Sequence, residues 1–121
     1  MSLLPNDKII KLELAYSKIN QANGPKDAEL LNSAIKLLDQ IIVNEQENII
    51  AYFMLSRAYG KLNLQNKAIL SLAEYYFYQN AYTKSQILAK KALKGFPENS
   101  KDYLRANDII QLTTDLAKRG E

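Results

Sequence analysis

Ala34 and Leu38 recur as Ala68 and Leu72, thirty-four residues further along and in the same register of an apolar stripe. Short helices joined by short connections can form an up-and-down bundle or a stack of repeats, and a recurrence at this length favours the stack. The stripes themselves have the three-and-four spacing of helices. Helix one is expected from about Asp7 to Ala22, with Ile9, Leu12, Tyr16 and Ile19 on its stripe, and Asn23-Gly24-Pro25 ends it. Helix two, from about Asp27 to Val43, buries Leu31, Ala34, Leu38 and Ile41, widened by Leu30, Ile35 and Ile42. Helix three follows the N-cap Asn48 and carries Tyr52, Leu55, Tyr59 and Leu62 to a break at Asn63. Helix four starts near Asn66 with Ile69, Leu72, Ala73 and Tyr76, and breaks at Gln79-Asn80. Thr83 and Gln86 form a candidate capping box for helix five, whose stripe is Leu88, Ala89 and Ala92 and which Gly95 and Pro97 close. Ser100 caps helix six, with one row at Tyr103, Ala106 and Ile110 and another at Ile109, Leu112 and Leu116. No segment shows sustained strand alternation.

Composition narrows the function. The 121 residues suit one domain. We expect residues 1–121 to form it, with 1–6 flexible or an artificial start. No apolar run approaches the ~20 residues of a membrane span. The opening Met1-Ser2-Leu3-Leu4-Pro5 lacks the pattern of a secretory signal, which fits a cytoplasmic protein or a fragment of a longer one. With no Cys and no His, the chain has no thiol chemistry and none of the nitrogen ligands of zinc hydrolase sites. The net charge of +3 is carried by thirteen Lys and three Arg spread along the chain. Lys90, Lys91 and Lys94 resemble a basic stripe, but the end of a helix explains them, and nucleic acid is not the expected partner.

From Ile49 onward the chain resembles a tetratricopeptide unit. Tyr52 takes the first aromatic position, Leu55-Ser56 the Leu-Gly pair, Tyr59 the second aromatic, and Ala68 and Leu72 the small and large positions of the second helix. Tyr75 departs from the usual Ala and Asn80 from the closing Pro. Helix four can also be read as opening a unit of its own, with Leu72-Ala73, Tyr76, Tyr82, Ser85, Ala89, Ala92 and Pro97 at the family spacing. The resemblance implies an all-α fold of about six helices, with antiparallel pairs stacked as a right-handed solenoid.

A narrower resemblance runs from about Tyr52 to Leu112. The runs Leu55-Ser56-Arg57-Ala58-Tyr59-Gly60, Ser71-Leu72-Ala73-Glu74-Tyr75-Tyr76, Phe96-Pro97-Glu98-Asn99-Ser100 and Tyr103-Leu104-Arg105-Ala106-Asn107-Asp108-Ile109-Ile110 are similar to the C-terminal repeat region of bacterial periplasmic zinc metallopeptidases of the beta-barrel assembly-enhancing type. That family's H-E-x-x-H helix lies in a separate N-terminal domain, which this chain cannot contain. The resemblance therefore implies a non-catalytic, periplasmic recognition region without cofactor or metal. Its partners would be a protein or peptide, and the catalytic domain of the same parent chain. A stand-alone cytoplasmic tetratricopeptide adaptor or secretion chaperone is the first alternative, and a nucleic-acid-binding protein the second.

Carboxylates offer no catalytic pair: Glu45 and Glu47 fall in a polar connection, and Asp102 suits the start of helix six. No phosphate loop, calcium loop or nucleophile motif is present. The run Tyr75-Tyr76-Phe77-Tyr78 cannot face one side of a helix, since each residue turns it by about 100°. It predicts a helix sandwiched between two neighbours, or an aromatic left for a partner. With Tyr52, Leu55, Tyr59 and Leu62 in the core, Phe53, Arg57 and Lys61 share an adjacent face of helix three. These three, extended by Lys84 and Lys91 on helix five, are the candidate partner-binding residues, because an apolar anchor beside cations suits a peptide carrying a carboxylate.

Overall fold

A computed structural model describes residues 7–119; the expectation placed on residues 1–6 lies outside them. The chain is all-helical: α1 (Asp7–Gln21), a 3-10 turn (Pro25–Asp27), α2 (Ala28–Asn44), α3 (Ile49–Lys61), α4 (Gln65–Phe77), α5 (Tyr82–Leu93) and α6 (Lys101–Arg119). Each helix packs on the next in sequence order, and α1 also touches α3 while α4 touches α6, a solenoid-like arrangement. No helix among the described residues is long and apolar enough to cross a membrane.

The turns follow from local chemistry. The Asn48 side chain accepts the Ala51 N–H at 2.9 Å, and Ser100 Oγ accepts the Tyr103 N–H at 3.2 Å, so both expected N-caps form. Gly24 has φ of 111°, a conformation that side chains resist. Asn63, Asn80 and Asn99 reverse the chain with φ of 64°, 65° and 68°, a left-handed conformation that asparagine tolerates better than most residues. Gly95 serves close approach instead: a Cβ there would run into the side chain of Asn66 at the start of α4. The Thr83–Gln86 capping box is absent. The Asn80 turn starts α5 already at Tyr82, after Ala81, and the Gln86 amide donates to Thr114 Oγ1 on α6 at 2.6 Å.

Two cores result. The first joins α1, α2 and α3 around Ala15, Ile19, Leu31, Ala34, Leu38, Ala51, Leu55 and Ala58. The second joins α4, α5 and α6 around Leu70, Ala73, Ala89, Ala92, Ala106 and Ile109. Helix α4 belongs to both, because Tyr75 and Tyr78 pack on the first while Phe77 packs on the second. The aromatic run thus lies between two neighbours. Alanines at 0 % exposure mark where helices approach most closely. Buried polar groups are tied down: Ser85 Oγ donates to the Ala73 carbonyl at 2.7 Å and Thr113 Oγ1 to the Ile109 carbonyl at 2.6 Å.

Three stripes differ from expectation. In α4, Ala73 is buried as expected, but Leu70, Ser71 and Glu74 are buried with it, while Ile69, Leu72 and Tyr76 are half-buried, because α4 has neighbours on two sides. Helix α1 buries Ala15 and Ile19 and leaves Ile9 and Tyr16 half-exposed, since its only neighbours lie on the Leu12–Ala15–Ile19 side. In α6, Ala106, Ile109 and Thr113 are buried, and Leu112 faces outward, about 100° from Thr113.

Candidate functional site

The outward side of α3 carries the predicted trio, and the structure divides it. Lys61 Nζ donates to the carbonyls of Ile19 at 2.7 Å and Ala22 at 3.0 Å, so its charge caps the C-terminal end of α1. Arg57 Nη2 donates to Asn20 Oδ1 at 2.9 Å, again reaching α1. Phe53 stays 46 % exposed and meets the Tyr75 ring, centroids 5.5 Å apart and planes tilted by 45°.

Tyr75 extends this contact across the molecule. Its ring meets Tyr76 edge-on at 5.1 Å, and Lys84 Nζ sits over the Tyr76 ring, 5.4 Å from its centroid. A line of four side chains, Phe53, Tyr75, Tyr76 and Lys84, therefore runs from α3 over the end of α4 to α5. The predicted residues Phe53 and Lys84 are joined by two tyrosines not predicted as site residues. Beyond Lys84, a shallow depression of about 270 Å³ is lined by Tyr76, Lys84, Ile87 and Leu88. Ile87 is 60 % exposed. Lys91 lies two turns along α5 from Lys84, exposed, with no ion pair or side-chain hydrogen bond among the described residues.

The opposite side of α3 faces a cleft of about 260 Å³ between α2 and α6, with α3 and α4 as its floor. Ile42, Leu55 and Leu70 make the floor apolar. Arg105 on α6 grips Glu74 on α4 with both carboxylate oxygens at 2.8 Å, and Tyr78 lies 3.4 Å from the same guanidinium. Lys67 on α4 pairs with Asp102 on α6 at 2.7 Å. The hydrogen bonds to Glu74 hold Arg105 charged well above its usual pKa, against the opposing effect of burial. Desolvation raises the pKa of the Tyr52 hydroxyl, and the Tyr52 ring stacks on that of Tyr78 with centroids 5.7 Å apart. It also pushes the Tyr59 hydroxyl up to about 12, helped by the nearby charges of Asp39 and Asp102. Asp39 stands on the rim, its pKa raised by partial burial against the opposing pull of Lys101 and Lys67. The cleft's inner charges neutralise one another in pairs, so they brace α4 against α6.

Sequence reasoning singled out Ala73-Glu74-Tyr75-Tyr76 and Leu104-Arg105-Ala106 as unusual runs without seeing that Glu74 and Arg105 meet. One signal was available: Glu74 is the sole carboxylate between residues 48 and 97. A lone acid among basic residues requires a cationic partner when it is buried.

A scan of protein-family models finds none that matches this chain, and a search of curated protein sequences finds no similar one.

Proposed function

We propose that this chain is a non-catalytic protein-interaction domain that meets its partner on the aromatic and basic face of α3, α4 and α5. The observation that carries the reading is the continuous line Phe53, Tyr75, Tyr76 and Lys84, with Ile87 exposed beside it. Clustered aromatic side chains next to cations have the composition of binding hot spots. They also stand on helices rather than loops, so the surface is preformed and little ordering entropy opposes association.

We further propose that the domain is the C-terminal, tetratricopeptide-like recognition region of a periplasmic zinc metallopeptidase. Support comes from two runs of that resemblance, Ala73-Glu74-Tyr75-Tyr76 and Leu104-Arg105-Ala106-Asn107-Asp108-Ile109: Glu74 of the first and Arg105 of the second form one bidentate pair between α4 and α6. The native reading frame tests the parentage. An upstream H-E-x-x-H segment is expected, and its absence sinks this part of the proposal while leaving the interaction reading intact.

Site-specific photo-crosslinking in cells tests the surface. Crosslinking residues at Phe53 and Ile87 should give adducts with protein partners, and the same residue at Leu104 or Leu112 on α6 should not. Adducts only from α6, or none from Phe53 and Ile87, would move the interaction elsewhere.

A further inference from the structure

The charges of this chain are segregated. Between residues 48 and 97 there are seven cations, Arg57, Lys61, Lys67, Lys84, Lys90, Lys91 and Lys94, against the one carboxylate Glu74, while α3 and α5 contain no Asp or Glu. Glu74 is neutralised by Arg105 on the cleft side. The opposite, aromatic face thus carries positive charge with no acid of its own on α3 or α5. Arg57 and Lys61 are engaged by α1. Lys84, Lys90, Lys91 and Lys94 have no ion pair among the described residues, and two of them, Lys84 and Lys91, share one stripe of α5. Between them on the same helix stand Ile87 and Leu88, which line the 270 Å³ depression with Tyr76.

Building on the interaction reading above, we propose that this depression binds an acidic segment of a protein partner. One apolar side chain sits against Tyr76, Ile87 and Leu88, and carboxylates pair with Lys84 and Lys91. The two lysines are seven residues apart, about 10 Å along a helix at 1.5 Å per residue. An extended peptide advances about 3.3 Å per residue, so its carboxylates are three residues apart, with the apolar residue between them. A nucleic-acid strand is a poorer fit, because a base stacks face-on and Lys84 already holds one face of the Tyr76 ring. An anionic membrane is a poorer fit, because Ile87 is the one largely exposed hydrophobic residue lining the depression and a single aliphatic side chain offers little apolar area for insertion.

Fluorescence polarisation with labelled synthetic peptides tests this on the whole chain. The probes are a peptide with a central Glu-Leu-Ser-Glu, the same peptide with Leu→Ser, and one with both Glu→Lys; anionic vesicles and a single-stranded oligonucleotide are further arms. The acidic peptide should bind more tightly than every other probe, at least tenfold more weakly after Lys84→Glu, Lys91→Glu or Ile87→Asp, and more weakly as salt rises. All three positions are exposed, and circular dichroism verifies that each variant is folded. Preference for the neutral or basic peptide would overturn the acidic partner and leave a protein-interaction domain. Preference for vesicles or oligonucleotide overturns both readings. Unchanged affinity in the three variants, or no binding of the acidic peptide, also overturns the inference.

Discussion

Tyr59 shows how one residue serves fold and cleft together. Its ring packs against the first core while its hydroxyl faces Asp39 and Asp102, so ionising it would place a third negative charge in a desolvated place. Its folded pKa, about 12, lies above the ordinary 10.0, which fixes the sign of the linkage. The associated stability is fully present below pH 10.0 and is lost as pH rises towards about 12. Ultraviolet titration of the eight tyrosines should show a late fraction that ionises only as the fold is lost, and Tyr59→Phe should remove one group from it. All eight ionising together near pH 10 with helicity intact would contradict this environment. At the same scale, the stripe of α2 was legible, because Leu31, Ala34, Leu38 and Ile41 are all buried. The stripe of α1 was legible in part, since Leu12 and Ile19 face the core as expected. A pattern built on large residues also selects Ile9 and Tyr16, whereas the further buried position is Ala15, whose small side chain gives little hydrophobic signal yet permits close helix approach.

The helices form with boundaries within a residue or two of those expected, because Asn, Gly and Pro punctuation is local chemistry. The turns explain why helix four could be read as either half of a unit. After α3, the Asn63 N–H donates to the Gly60 carbonyl at 3.0 Å and the Leu64 N–H to Tyr59 at 2.9 Å. Seventeen residues later, the Asn80 N–H donates to Phe77 at 3.1 Å and the Ala81 N–H to Tyr76 at 3.0 Å. The pattern thus repeats at two successive helix ends, those of α3 and α4, and their spacing is half of thirty-four. It also explains the missing proline. At Asn80, φ is 65°, whereas proline is held near −65° and has no N–H to donate. Asn80→Pro should therefore cost about 3 kcal/mol or more in urea denaturation, while Asn80→Gly should change stability little. A proline variant as stable as the parent would show that this turn can close as the family pattern does.

Across the whole molecule, the proposed partner face was harder to read than the fold because it depends on which side chains meet between helices. Phe53 and Lys84 were identifiable as an anchor and a cation, but the tyrosines that connect them lie in a run that sequence alone could assign equally to packing. Arg57 and Lys61 kept the expected face and were drawn to the end of α1, a relation that spacing on one helix cannot reveal. The same helix that carries those tyrosines also couples the two cores. Tyr75 and Tyr78 pack on the first, Phe77 and Leu70 on the second, and Arg105 ties Glu74 of α4 to α6. In a stack whose stability is a sum of units and interfaces, a helix shared by both cores makes their unfolding cooperative. Ile109→Ala, in the second core, should cost about 2–5 kcal/mol. If the coupling through α4 holds, amide exchange protection in α2 should fall with that in α6, although α2 makes no extensive contact with α5 or α6. Leu38→Ala in the first core should have the reciprocal effect on α6. Loss of protection confined to α5 and α6 in the Ile109 variant would instead mean that α4 joins two units that unfold independently.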